Sequence, residues 1–231
     1  MKFLIQTMGF LLALSTSLTQ ADVIDLQLDQ SQSNTLVTFT ATAIPTGQTL
    51  QSTDTSSLAG PMNISLGTNG PPFGTAQIQM FESNLADGLN FNFNFAGVGL
   101  VTIASAPGNT EIDLTSFGGA GSVAGGQFSQ LGNVLRNHGR FVVNGGGFSD
   151  QPFDFDFDNN QDFVNYTVSR AGDVVTVTGS FDFNWDFSEG VFAGNVRYQG
   201  DFVAFGAVPE PHSALVLGVT ALLGICVRRR R

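Results

Sequence analysis

The chain of 231 residues is poor in cysteine, lysine and histidine. Its single cysteine is Cys226, its single lysine is Lys2, and its two histidines are His138 and His212. A lone cysteine forms no intramolecular disulfide, and a zinc site built from several thiolates is excluded. The stability of the fold must therefore come from packing of its core, for which 22 phenylalanines are available.

Positive charge is scarce between residues 22 and 207. Of nine basic and nineteen acidic residues, five bases and one acid, Glu210, lie in the two end segments. The middle of the chain keeps 18 acids against four arginines, a net charge of about −14. Such a chain repels nucleic-acid phosphates and anionic membrane surfaces, so we expect no nucleic-acid partner.

Long hydrophobic runs are confined to the two ends of the chain. At the amino end, Lys2 is followed by an apolar stretch from Phe3 to Leu14 and by small residues ending at Ala21. This order of charge, apolar run and small residues is typical of a secretory signal peptide. We predict a signal peptide over residues 1–21, removed during export.

At the other end, the segment 208–231 contains Pro209, Glu210 and Pro211, a 15-residue apolar run over 213–227, and four consecutive arginines, Arg228, Arg229, Arg230 and Arg231. A helix of that length is about 22 Å long, which is short for a bilayer core of about 30 Å. It can still span if the arginine stems reach to the interface. The positive-inside rule then places the arginines in the cytoplasm, as a membrane stop.

This tail resembles the PEP-CTERM sorting signal of Gram-negative bacteria. The resemblance covers about the last 24 residues, and it rests on the proline motif, the apolar run and the arginine cluster. It implies recognition by an exosortase, a membrane enzyme similar to cysteine transpeptidases. It further implies insertion of the tail in the membrane, its removal, and release or attachment of the protein at the cell surface.

Residues 22–207 have the length of one ordinary domain, and their main pattern has a period of two. Apolar and polar residues alternate in the segments 24–28, 37–43, 89–95, 153–157 and 175–187. Alternation of this kind predicts strands with one buried face. The first two of these segments are predicted to pair as a hairpin, and Trp185 falls in the inward phase of the last. We expect about a dozen strands in an antiparallel β-sandwich or barrel, with a filled core rather than an open cavity.

Two segments lack this pattern. Residues 46–60 are polar and are predicted to be a loop. Between Gln127 and Asn137, four apolar residues fall at helical spacing, with Arg136, His138 and Gly139 at the end. That arrangement predicts one short helix over Gln127–Asn137.

The densest group of oxygen ligands is a weak candidate for a calcium site. It consists of Asp154, Asp156, Asp158, Asn160 and Asp162. Its second half matches the start of an EF-hand loop but lacks the glycine at the sixth place and the acid at the twelfth. We therefore interpret the group as the solvated face of a strand that blocks edge-to-edge aggregation, and we predict no metal.

No arrangement of residues predicts catalysis. His138 is the only histidine between the two end segments, and no Gly-x-Ser-x-Gly elbow frames a nucleophile. The sequence predicts an exported, non-enzymatic protein of the cell surface or extracellular matrix without a cofactor, with a structural or adhesive role and extracellular polysaccharide as a candidate partner. The alternative is a binding module for glycan or for a small apolar ligand, since the opening segments are similar to those of YceI-like lipid-binding barrels.

Overall fold

A computed structural model describes residues 22–44, 46–67, 71–189 and 192–208. In this part of the chain all regular structure is β-strand. The strands are β1 (Asp22–Leu28), β2 (Asn34–Ala43), β3 (Gln48–Ala59), β4 (Pro61–Leu66), β5 (Thr75–Leu85), β6 (Leu89–Phe95), β7 (Gly99–Ser105), β8 (Thr110–Ser116), β9 (Gly121–Ser122), β10 (Gln127–Gly145), β11 (Phe148–Ala171), β12 (Val174–Glu189) and β13 (Phe192–Ala207). Among these residues no helix has the length and hydrophobicity needed to cross a membrane.

The strands form one antiparallel sheet that closes on itself. The main path runs β1-β4-β5-β3-β2-β13-β12-β11-β10-β7-β6, and β8 joins β10 to β5. The sheet is split between β11 and β12. These two strands are paired only from Thr167–Thr178 to Ala171–Val174, and the rest of each strand is separated from the other. The all-β antiparallel prediction is confirmed.

The inward positions of the strands form a core dominated by phenylalanine. The ring of Phe39 on β2 lies 5.4 Å from that of Phe91 on β6 and 5.9 Å from that of Phe141 on β10. Trp185 on β12 is 5% exposed and stacks on Phe157 of β11 at a centroid distance of 4.1 Å. The predicted inward phase of Trp185 is therefore confirmed.

The core is filled in a region lined mainly by aromatic rings. An apolar pocket in it has no space for a single water molecule. Its lining consists of Ile78, Phe81, Leu135, Phe163, Tyr166, Phe181 and Phe202. Deeper in the core, the Tyr198 hydroxyl lies beside Asn137 and Trp185, and burial raises the pKa of Tyr198.

Glycines on β13 make room for these rings. Gly200 lies directly opposite Phe181 in the β12–β13 ladder, and Gly194 lies opposite Phe187. A Cβ atom added to Gly200 would meet the Phe181 ring at 2.4 Å, and one added to Gly194 would meet the Phe187 ring at 2.8 Å. The aromatic rings thus lie over the glycine backbone of the neighbouring strand.

The predicted helix over Gln127–Asn137 is wrong, since this segment is the first part of β10. A bulge between Gln130 and Asn133 shifts the alternation by one residue, and Gly132 there has φ 78°. In addition, the inward positions Gln130 and Asn133 are polar although both are fully buried. The bulge and the two inward amides hide the period of two and leave the apolar residues at helical spacing.

Gln130 is tolerated in the core because it pairs as a backbone group would. Its Oε1 accepts the N–H of Ile78 at 2.7 Å, and its Nε2 donates to the Ile78 carbonyl at 2.9 Å. The Asn133 amide donates to the Gln130 carbonyl at 2.7 Å and accepts the N–H of Gly118 at 2.9 Å. Gln130 thus joins β10 to β5 where the two backbones are not paired, and Asn133 joins β10 to the segment at Gly118.

The predicted loop over residues 46–60 is also wrong, because Gln48–Ala59 is β3, which pairs with β2 over residues 48–57 and with β5 at its last two residues. Polar side chains of β3 bond to the backbone of β6 and of the residue that follows it. Asp54 Oδ2 accepts the N–H of Asn90 at 2.7 Å, and Gln48 Oε1 accepts the N–H of Ala96 at 2.7 Å. The side chains of β3 accept hydrogen bonds that backbone carbonyls would accept in an ordinary ladder. They must be polar to do so, and the segment therefore has the composition of a loop.

The predicted hairpin between the first two strands is not formed. β1 pairs with β4 and with the end of β13, whereas β2 pairs with β3 and with the earlier part of β13. The connection crosses from one neighbour to the other: the Asp29 N–H donates to the Val203 carbonyl at 2.8 Å, and the Val203 N–H donates to Ser33 Oγ at 3.0 Å.

Candidate functional site

Charged residues concentrate on the outward face of β5, β8, β10 and β11. In the ladders, His138 on β10 lies opposite Glu111 on β8 and opposite Asp156 on β11, and Glu82 on β5 lies opposite Asp113 on β8. Residues directly opposite in an antiparallel pair point to the same face. The register therefore gathers residues from four strands that are far apart in sequence.

Within this face, His138 contacts two carboxylates. Its Nε2 lies 2.8 Å from Asp113 Oδ2 and 3.4 Å from Glu111 Oε2. The possible ligand atoms of the three residues all lie within 4.8 Å of one another, and each side chain is partly exposed. We call Glu111, Asp113 and His138 the His138 cluster. Sequence reasoning missed it because His138 was assigned to a helix end, and the β8–β10 register is not visible in the sequence.

The weak calcium candidate is spread along β11 rather than gathered around one point. Outward side chains two residues apart on a strand are separated by roughly 6.6 Å. Asp162, at the end of the group, accepts the N–H of Gly132 at 2.8 Å. Its other members lie at exposed positions: Asp154, Asp156, Asp158 and Asn160.

Two of these aspartates are held by arginines of β10. Arg140 contacts Asp154 through Nε–Oδ1 at 2.5 Å and Nη2–Oδ2 at 3.0 Å. Arg136 contacts Asp156 in the same way, at 2.6 and 2.5 Å. These hydrogen bonds lower the pKa of both aspartates and raise the pKa of both arginines. The carboxylates of Asp154 and Asp156 are thus already matched by positive charge.

An open groove of about 600 Å³ lies where β11 separates from β12. On β11 the residues before Asn165 are separated from β12, and pairing begins at Thr167. Asn165 itself has φ 59°. The groove is lined by Asn34, Leu36, Gln161, Asp162, Val164, Ser180, Phe181, Asp182, Gln199, Gly200 and Asp201. Its one aromatic ring, Phe181, is only 4% exposed, so the lining offers amides and carboxylates rather than a stacking surface.

The predicted sorting residues lie outside the described part of the chain. These are Pro209, Glu210, Pro211 and the arginines at 228–231, together with the predicted signal peptide over 1–21. The last described residue, Val208, is buried, and its N–H donates to the Asp173 carbonyl at 2.7 Å. In the sequence, Pro209 directly follows this last described residue.

Comparison with known proteins finds no matching family model and no matching curated protein. Among solved structures, the chain is similar to the InvG secretin domain β-barrel from the Salmonella SPI-1 injectisome NC-base. The identity is 10%, and the match covers 95% of this chain and 74% of the other. The TM-score is 0.26, too low to bear on fold or function.

Proposed function

We propose that this protein is an exported, non-enzymatic component of the cell surface or extracellular matrix with a structural or adhesive role. Its sorting and processing depend on the PEP-CTERM-like tail, with exosortase and the secretion machinery as partners. The tail sits in the membrane before processing. What supports this part of the proposal is the predicted signal peptide at one end and the complete tripartite tail, with Pro209 to Pro211 and Arg228 to Arg231, at the other.

The filled phenylalanine core is the observation that carries the structural role. A carrier of small apolar ligands needs a cavity, commonly of about 300–1,000 Å³, lined by apolar side chains. Here the rings of Phe39, Phe141 and Trp185 occupy that space, and the apolar pocket described above has no room for water. The YceI-like alternative therefore has no supporting observation among the described residues.

The acidic, lysine-free surface also favours an extracellular role. With a net charge of about −14 over residues 22–207, copies of the domain repel one another and stay soluble. Where β11 and β12 are not paired with each other, they carry aspartates at alternate positions, including the exposed Asp158 and Asp186. Charges so placed block edge-to-edge pairing.

Intact mass of the protein from surface fractions and culture medium tests the proposal. We expect a mass that lacks residues 1–21 and the segment after the proline motif. In a host without exosortase, the tail should stay in the membrane fraction. A Glu210→Ala variant should accumulate unprocessed, whereas Glu82→Ala, which removes an acid from the folded body, should be processed normally. An extracellular form that keeps Arg231 would contradict the proposal.

A glycan-binding role at the groove is the second candidate. Its amides Asn34, Gln161 and Gln199 offer both donors and acceptors to hydroxyl groups. Since the groove also contains three aspartates, we expect it to prefer neutral over anionic polysaccharide. Gln199→Ala should weaken retention on a neutral polysaccharide from the host matrix, whereas Gln127→Ala, on the exposed start of β10, should not. Equal retention of both variants and the parent protein would remove this candidate.

A further inference from the structure

The His138 cluster is built from two strands whose mutual position is fixed by backbone pairing. Glu111 and Asp113 are two residues apart on β8 and share its outward phase, and His138 lies opposite Glu111 on β10. Next to the histidine, Gly139 allows close approach: an added Cβ would meet the Asn109 carbonyl oxygen at 2.3 Å. The Arg140 N–H donates to the same carbonyl at 3.1 Å. The three side chains are therefore held together by the sheet and not by a mobile loop.

The spacing of the three donors suits a small metal ion. Ligand atoms bound at 2.0–2.1 Å to a tetrahedral zinc ion stand about 3.3 Å apart. The separation of His138 Nε2 from Glu111 Oε2 is 3.4 Å, close to this value. The separation from Asp113 Oδ2 is 2.8 Å, a hydrogen-bond distance, so these two groups must move apart by about 0.5 Å to admit the ion. Because both short distances involve Nε2, one nitrogen faces both carboxylates, and a cation between them would contact all three groups.

The residues around the cluster carry an excess of negative charge, which a bound cation would neutralise. Two carboxylates, Glu111 and Asp113, contact the imidazole. A third, Glu82, lies opposite Asp113 in the β5–β8 ladder, and Asp156 lies opposite His138 in the β10–β11 ladder. The neighbouring arginine, Arg136, is engaged in a bidentate contact with Asp156. The carboxylates of Glu111 and Asp113 have ligand atoms within 4.8 Å of each other. Two like charges at that range repel each other, and a cation between them removes the repulsion.

The donor types indicate which cation fits. Calcium takes six to eight oxygen ligands, whereas this cluster offers one nitrogen and two carboxylates. One imidazole with carboxylates is a donor set for zinc and neighbouring divalent transition metals. Three protein ligands also leave a coordination position open for water or for a donor from another molecule.

We propose that Glu111, Asp113 and His138 bind a divalent transition metal, with Zn²⁺ as the ion that this donor set favours. The site is separate from the weak calcium candidate on β11 and from the sorting tail. A bound ion links β8 to β10 on the outer face and presents an open coordination position there. It thereby offers the exported protein a point of contact that the side chains alone do not provide.

Metal titration of the full chain tests this proposal. His212 and Cys226 in the tail are further metal-binding groups, so the parent protein should carry His212→Asn and Cys226→Ser. In a calorimetric titration we expect this parent to bind one Zn²⁺ per chain. Its melting temperature should rise when zinc is added, because the ion binds the folded state. With Co²⁺ we expect the intense visible absorption of a low-coordinate site, not the weak bands of the hydrated ion.

Variants of single ligands give the sharper result. His138→Ala should weaken zinc binding by about 100-fold or more. Loss of a residue that only supports a ligand costs about 10–100-fold in metal affinity, and loss of a direct ligand should cost at least the upper value. Glu111→Gln and Asp113→Asn should weaken it as well and abolish the Co²⁺ spectrum. The matched control is Asp158→Asn, which removes one negative charge from the same face without removing a donor. Melting of each variant without metal separates loss of the site from loss of the fold.

Three outcomes would overturn the proposal. The parent could show no saturable zinc binding, His138→Ala could bind as tightly as the parent, or Asp158→Asn could lose as much affinity as Glu111→Gln. The last result would mean that the ion is attracted by the charge of the whole face rather than by three ligands.

Discussion

The two faces of the β10–β11 ladder use the same backbone for opposite purposes. On the inner face, Phe141 stacks on Phe155 at a centroid distance of 5.0 Å, and both rings are buried. On the outer face of the same strands, Arg136 and Asp156 form an exposed bidentate pair. Because successive side chains of a strand alternate between faces, the two environments are separated by one residue.

The magnitudes show which face holds the fold. Burying one aromatic or large aliphatic side chain contributes about 1.5–3 kcal/mol. Exposed ion pairs contribute about 0–1 kcal/mol at most sites. The inner face therefore sets stability, whereas the charges of the outer face are available for solubility and for binding. Each prediction below tests this division.

The largest effect is expected from Trp185→Ala on the inner face. The indole stacks on Phe155 and Phe157, so its removal leaves a cavity among packed rings. We expect a loss of about 3–5 kcal/mol in the free energy of unfolding. Denaturant unfolding measures this loss, and the exposed Phe117 gives the control, since Phe117→Ala should change stability little. A small effect of Trp185→Ala would mean that the core is not packed as described.

The next effect is expected from Gln130→Ala, which tests the polar bridge inside the core. Without the amide, the buried N–H and carbonyl of Ile78 lose their partners. We expect a loss of about 2–4 kcal/mol, because each unsatisfied buried group costs about 1–3 kcal/mol. Gln127→Ala at the exposed start of the same strand is the control. Similar stability of both variants would contradict the bridging role.

A smaller loss is expected from Gly200→Ala, which adds a methyl group where the Phe181 ring lies. The new Cβ would also meet the Asn34 carbonyl oxygen at 2.9 Å. We expect destabilisation of about 1–3 kcal/mol from overpacking. Gly119→Ala, where nothing lies within 4 Å, should be neutral or slightly stabilising. If the two substitutions behave alike in thermal unfolding, the close approach of ring and glycine is not present in solution.

The smallest effect concerns acid and the outer face. Hydrogen bonds from arginines lower the pKa of Asp154, Asp156 and Asp182 in the folded protein. The stability they contribute is present above their unfolded pKa of about 4 and is lost as the pH falls through the lower folded pKa. We expect a modest fall in melting temperature below about pH 4.

A double variant checks the source of that fall. Asp154→Asn with Asp156→Asn should flatten the pH profile in this range. Asp158→Asn removes a charge from the same strand without removing a member of either pair, and it should leave the profile unchanged. An unchanged profile in the double variant would assign the acid sensitivity to other carboxylates.

The inner face was the part of the fold that sequence could predict. Strict alternation at Leu89–Phe95 and from Val175 to Phe187 identified β6, most of β12 and the inward phase of Trp185. Alternation is visible because the inward residues there are apolar, and burial of apolar side chains is what the pattern records.

Prediction from the sequence was wrong where polar side chains, rather than backbone groups, bond to a neighbouring strand. Gln130 on β10 and Asp54 on β3 occupy inward positions and bond to a neighbouring strand, so their segments looked like a helix and a loop. The His138 cluster was not predicted, for a different reason. Its two strands are joined by long-range register, which a single sequence does not reveal.

The most direct test of the account is whether the inner face holds any ligand. Native mass spectrometry of the protein purified from its own host should give the mass of the processed chain with no lipid bound. Trp185 fluorescence, titrated with fatty acids and isoprenoids, should show no saturable change, because the rings around it already fill the core. A co-purifying lipid, or saturable quenching at micromolar concentration, would contradict the filled core and favour a carrier.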